Sequence, residues 1–190
     1  MYKKIKCIVY TLLSTGIAVF LYIFLHELGH MIIMLSAGAT ITDFSVFTAH
    51  VSAVGGAYTD LSRMCMHVNG SLFPFIIAYV YTLFYQKNNT SSFYRIFSYV
   101  VIVISAASIC AWVVNPFVYL LGTAPINDDV TKFLTIFSAH YHPLIVSAAA
   151  AVLIGMDVVL MIKKRILYNF IEEIVTVLSM RSKDIDEPSL

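Results

Sequence analysis

The stretch Phe24-Leu25-His26-Glu27-Leu28-Gly29-His30-Met31-Ile32-Ile33 decides how this chain is read. It sets two histidines and a glutamate inside an apolar run. On a helix, residues four apart lie on one face, so His26 and His30 can reach one metal ion. Glu27 follows the first histidine, where it can act on a metal-bound water. Zinc lowers the pKa of such a water from about 15.7 to about 7, which makes hydroxide available near neutral pH. Glu27 is then the expected catalytic base, taking the proton from that water and passing it to a leaving amine. Ionisable groups at membrane depth are costly and mark function by default. Glu27 is also the only glutamate before Glu172. A chance match or a packing role accounts poorly for such a cluster.

Working outward, the apolar run extends from Cys7 to Ala37. The whole chain has 190 residues, 59% hydrophobic and 12% charged, with a mean hydropathy of +0.84. Soluble domains are nearer half apolar and one quarter charged. The expected class is an all-α integral membrane protein, with about four transmembrane helices and a short membrane-embedded β-hairpin or re-entrant loop. A bilayer core of about 30 Å asks for roughly 20 apolar residues per helix. Spans are expected at Cys7–Ala37, His67–Tyr85 with Pro74 near its start, Phe93–Leu121, and Tyr141–Ile162. Asn115-Pro116 is expected to kink or end the third. Between the first two spans, Gly38–Met66 is rich in Thr, Ser and β-branched residues. Its alternation over Ile41–Val54 and the Gly55-Gly56 pair predict the hairpin. A short helix is expected at Val130–Ala139. Residues 1–165 thus form the membrane domain, with the hairpin region at about 38–66. Residues 166–190 form an amphipathic helix to Met180 and a polar tail.

Lys3, Lys4 and Lys6 ahead of an apolar run look like the start of a signal peptide. The run is long and carries no small-residue cleavage pattern, so a retained helix is expected. With four spans, these lysines fall on one side with Lys87, Arg95, Lys163, Lys164 and Arg165, against only Arg63 and Lys132 on the other. The positive-inside rule then puts both termini in the cytoplasm of a multi-pass protein of the cell membrane. A net charge of +1 without a clustered basic face argues against nucleic acid as a partner. Cys7, Cys65 and Cys110 are odd in number and widely spaced, which predicts buried, unpaired thiols. Asp157 near the end of the last span is expected to pair with Lys163 or Lys164.

Two histidines do not complete a catalytic zinc site, which takes three protein ligands and a water. Asp128 and Asp129, in the Asn127-Asp128-Asp129 turn, are the main candidates for the third. One of the pair can cap the helix that follows while the other binds metal. His140 and His142 are weaker candidates at the start of the last span. His50 and His67 read as histidines satisfied by polar neighbours.

An HExxH motif inside a long first span, a Gly-containing hairpin and a later acidic turn opening another helix resemble the site-2 protease family of intramembrane zinc metalloproteases. The resemblance covers about Leu21 to Phe137. It implies one Zn2+ per chain, held by His26, His30 and an aspartate from an LDG- or NDG-like turn, here Pro125-Ile126-Asn127-Asp128-Asp129. Reading NDD as NDG selects Asp128, and counting to the inward apolar position Phe133 favours Asp129. Asn69–Pro74 resembles the small-residue segment that opens the next family helix. Asn115 stands for the family asparagine that supports the oxyanion, although farther from the Asp turn than the pattern. No PDZ-like domain is inserted between the motifs, and an N-terminus inside differs from the commonest family topology.

The function expected from motif and resemblance together is hydrolysis of a peptide bond in a membrane protein or peptide at the lipid bilayer. The alternatives are a zinc-dependent membrane hydrolase of another substrate class and a non-catalytic zinc-binding membrane protein. The intact Glu27 argues against the last, because a binding site needs no base. No clean GxxxG marks a dimer face.

Overall fold

The computed structural model describes residues 2–183. The chain is mostly helical, at 73%, with one two-stranded sheet. Helix α1 (Tyr2–Ser36) holds the opening apolar run. At about 1.5 Å per residue it is well over the thickness of a bilayer core. It ends where Gly38 takes a φ of +80° and its amide bonds the Leu35 carbonyl, a left-handed C-terminal stop suited to glycine.

The hairpin follows as β1 (Ala39–Ser45) and β2 (His50–Gly55). They pair antiparallel from Ala39 opposite Gly55 to Ser45 opposite His50, with an irregularity between Ile41 and Asp43. The hairpin region is shorter than expected, because α2 (Asp60–Leu83) starts at Asp60 rather than His67. The reason is local. Thr59 and Ser62 form a reciprocal capping box, and Asp60 lies in the first turn, where a negative charge favours the helix dipole. Pro74 is therefore interior to the helix and not near its start.

Helix α3 (Ser92–Leu120) is capped by Ser91. Asn115-Pro116 neither ends it nor lies outside it; the helix runs on to Leu120. Helix α4 (Asp129–Phe137) is capped by Asp128, whose side chain accepts from the Thr131 amide at 3.2 Å. Helix α5 (Leu144–Lys163) begins after Pro143, and α6 (Ile166–Lys183) follows Arg165, whose φ is 62°. The polar tail from Asp184 onward lies outside the described residues.

Helices α1, α2, α3 and α5 are long and apolar enough to cross a membrane. Their outer faces carry exposed apolar residues such as Leu12, Val114, Val152 and Ile162, as lipid-facing surfaces do. One core joins Phe75, Ile109, Trp112, Val130, Leu134 and Ala150, and so fastens α4 to α2, α3 and α5. A second joins Tyr85, Ile102, Met161 and Ile166 at the far end of the bundle. There α6 is tied down. Arg95 bridges Glu172 at 3.0 Å and Glu173 at 3.2 Å, and the Tyr99 and Phe170 rings stack at 3.9 Å.

Two expectations fail here. Asp157 makes no ion pair with Lys163 or Lys164. It is 2% exposed and lies in line with the buried Ser147, Ala150 and Met161 of α5, with its Oδ2 unpartnered. Lys163 is on the exposed side, and Lys164 donates instead to the Leu83 carbonyl. The cysteines are unpaired, but none is fully buried: Cys7 and Cys65 are half-buried and Cys110 is exposed.

Candidate metal centre

The site is built where the last third of α1 meets the first third of α2 and the start of α4. The α1–α2 approach is close because two glycines permit it. A Cβ on Gly29 would lie 2.3 Å from the Asn69 carbonyl oxygen, and one on Gly70 would lie 2.5 Å from Nε2 of His30 and 2.9 Å from Cε1 of His26. Contacts this short do not occur, so both positions need glycine. Asn69 locks the crossing by donating its side-chain amide to the Gly29 carbonyl at 2.8 Å.

On this crossing, the HExxH turn of α1 presents both imidazoles to one point. Nε2 of His26 and Nε2 of His30 are 3.1 Å apart. Oδ2 of Asp129, from the first turn of α4, is 3.3 Å from the first and 3.1 Å from the second. These three atoms form a compact group able to hold a metal ion.

The hydrogen bonds around the group decide what it lacks. His30 Nδ1–H donates to the Met66 carbonyl at 2.8 Å, so Nε2 of a neutral His30 bears no hydrogen. His26 Nδ1 meets the Tyr22 hydroxyl at 3.3 Å. The bare Nε2 of His30 and Oδ2 of Asp129 therefore face one another at 3.1 Å, an arrangement that repels itself unless a cation lies between them. Around tetrahedral zinc with bonds of about 2.0–2.1 Å, neighbouring ligand atoms lie about 3.3–3.4 Å apart. The observed triangle of 3.1, 3.1 and 3.3 Å is close to one face of that tetrahedron. The donor set of two imidazoles and one carboxylate is also a zinc set. On both counts the residues fit the ion.

Of the two aspartates in the turn, the structure brings Asp129 to the histidines and not Asp128. The Asp128 carboxylate turns back to cap α4, and its Oδ2 also accepts from the Asn115 amide at 2.8 Å. A capping side chain folds against its own helix, while the next residue projects away from it. Asn115, expected beside the oxyanion, is thereby committed to holding the Asp128 turn, and it does not line the site cavity.

That cavity, of about 280 Å³, is lined by Glu27, Met34, Ala49, His50, Val51, Met66, His67, Asn127 and Lys132 as well as the three clustered residues. Glu27 is buried beside its histidines at 5% exposure. His50 is exposed and occupied with Ser52 at 2.8 Å, while His140 and His142 are exposed elsewhere. His67 was read from sequence as a satisfied polar histidine. It is satisfied, and by the site itself: its Nδ1 meets Oδ1 of Asp129 at 3.2 Å. Met66 and Tyr22 carry no signal in the sequence, and Gly70 stands out only as part of the small-residue segment Asn69–Pro74.

No family model, curated protein or solved structure matches the chain. What can be said of its activity rests on this geometry.

Proposed function

We propose that the chain is a membrane-embedded zinc metalloprotease that resembles the site-2 proteases, with one Zn2+ held by His26, His30 and Asp129. The observation that carries the reading is the convergence of two imidazole Nε2 atoms and one carboxylate oxygen, 3.1–3.3 Å apart, beside a buried glutamate. Zinc bound there would supply a water acidic enough to yield hydroxide near neutral pH. Glu27 takes the proton from the attacking water and returns it to the leaving amine nitrogen. The outer partners Tyr22 and Met66 fix the imidazoles so that Nε2 faces inward, the usual role of such groups at zinc sites. Asp128, with Asn115, fixes the start of α4 and hence the position of Asp129.

A peptide substrate is favoured over a lipid by the cavity wall. Ala49 of the hairpin turn and His50 and Val51 of β2 line it, and a two-stranded sheet leaves strand edges free to pair with an extended chain. Four helices long and apolar enough to cross a membrane support a substrate within or beside the bilayer.

The test is metal content and hydrolysis together, on detergent-purified protein. Wild type is expected to hold one zinc per chain and to cleave labelled peptides but not labelled lipids. Glu27→Gln is expected to keep the zinc and to lose at least a hundredfold in rate, the scale of a catalytic base. Cleavage of lipids alone would move the reading to another membrane hydrolase. Absence of zinc in wild type purified without chelator would end it.

A further inference from the structure

We infer that His67 is a positioning residue for the third metal ligand: by engaging Oδ1 of Asp129 it reserves Oδ2 for the ion. The inference rests on the metal site proposed above and adds to it a residue from outside the HExxH and NDD motifs.

A carboxylate can present one oxygen to an ion or both, and the difference decides whether a position stays open for water. Catalytic zinc sites keep that position. In this chain the two oxygens of Asp129 are already distinguished. Oδ2 faces Nε2 of His26 and of His30 at 3.3 and 3.1 Å, whereas Oδ1 faces Nδ1 of His67 at 3.2 Å. A carboxylate only accepts hydrogen bonds, so His67 donates. The donor holds the plane of the carboxylate and occupies the oxygen that would otherwise swing toward the ion.

The placement of His67 is not incidental to the fold. It belongs to the same turn of α2 as Met66, whose carbonyl orients His30, and Gly70, on which the imidazoles rest. One turn, Met66–Gly70, therefore sets the orientation of ligands from both α1 and α4. At metal sites such outer partners govern affinity, and their loss costs about 10–100-fold.

The test compares His67→Leu, which fills space without a donor, with His67→Asn, whose amide can replace the Nδ1–H. Each is measured as the full-length protein in detergent, by chelator competition for zinc and by the visible absorption of the Co2+-substituted protein. Co2+ reports coordination number, since four-coordinate sites absorb far more strongly than five- or six-coordinate ones. The expected result is a fall in zinc affinity of about 10–100-fold for His67→Leu, with a weakened Co2+ band as both oxygens of Asp129 engage. His67→Asn is expected to stay within a few-fold of wild type and to keep its Co2+ spectrum. An asparagine variant as weak as the leucine variant would overturn the inference, pointing to bulk or to direct ligation by His67. Wild-type affinity and spectrum in His67→Leu would also overturn it, leaving the metal site itself intact. Should the leucine variant fail to fold, the asparagine variant decides alone by the same criterion. A wild type that takes up neither ion would instead remove the site on which both readings stand.

Discussion

At the scale of single residues, the site is governed as much by what is missing as by what is present. Gly70 has no side chain, and the imidazoles of His26 and His30 occupy the space one would fill. Gly70→Ala would put a methyl group 2.5 Å from the His30 Nε2, so a ring must turn or α2 must move. Overpacking of this kind costs about 1–3 kcal/mol, and here it falls on the atoms proposed to bind the ion. The expected outcome is zinc content well below one per chain with helical content unchanged, read by elemental analysis and circular dichroism on one preparation. Gly16 has open space around its Cβ direction and serves as the control: Gly16→Ala is expected to leave zinc content at the wild-type level.

At the scale of elements, the decisive feature is how α4 begins. Asp128 and Asp129 are adjacent and chemically identical, yet the N-cap position turns one back to the Thr131 amide and sends the other to the histidines. Removing the cap by Asp128→Ala is expected to cost about 0.5–2 kcal/mol of stability while zinc is retained. Asp129→Ala is expected to abolish zinc binding. Thermal melts and zinc content on the two variants check both, and Asp128→Ser, which restores a cap, should recover the stability. The sequence left this choice open because the capping role and the ligand role fit both aspartates until the first helical residue is known. The apolar spans and the hairpin were legible, since bilayer length and period-two alternation act locally. The start of α2 was not. Its first turns, Asp60-Leu61-Ser62-Arg63, border the polar end of the molecule and lack the apolar signature of a span, although the capping pair Thr59 and Ser62 was there to be read. His67 escaped for a different reason: its partner Asp129 is 62 positions away in sequence, a pairing no local pattern encodes.

At the scale of the whole molecule, the proposed metal site joins distant parts of the chain. Helices α1 and α4 do not pack against one another; among the described residues they meet through His26, His30 and Asp129. An ion held there is a cross-link that the unfolded chain lacks, and it stabilises the folded state by mass action. At free zinc a hundredfold above the dissociation constant the gain is about 2.7 kcal/mol. For a chain of this size each kcal/mol moves the melting temperature by about 2–4 °C, so stripping the ion with a chelator should lower Tm by about 5–10 °C and readdition of zinc should restore it. The loss should be uneven. Core contacts of Val130 and Leu134 still hold the body of α4, whereas the exposed approach through Gly122, Pro125 and Ile126 leads into the turn whose Asp129 meets α1. Limited proteolysis is therefore expected to cut that approach faster in stripped protein, with the α2–α3 loop cut at an unchanged rate. In Asp129→Ala the melting temperature should not respond to chelator or zinc. A stripped wild type that melts and digests like the loaded protein would mean that the three ligands do not act as one fastening, and that α4 is held by its apolar face alone.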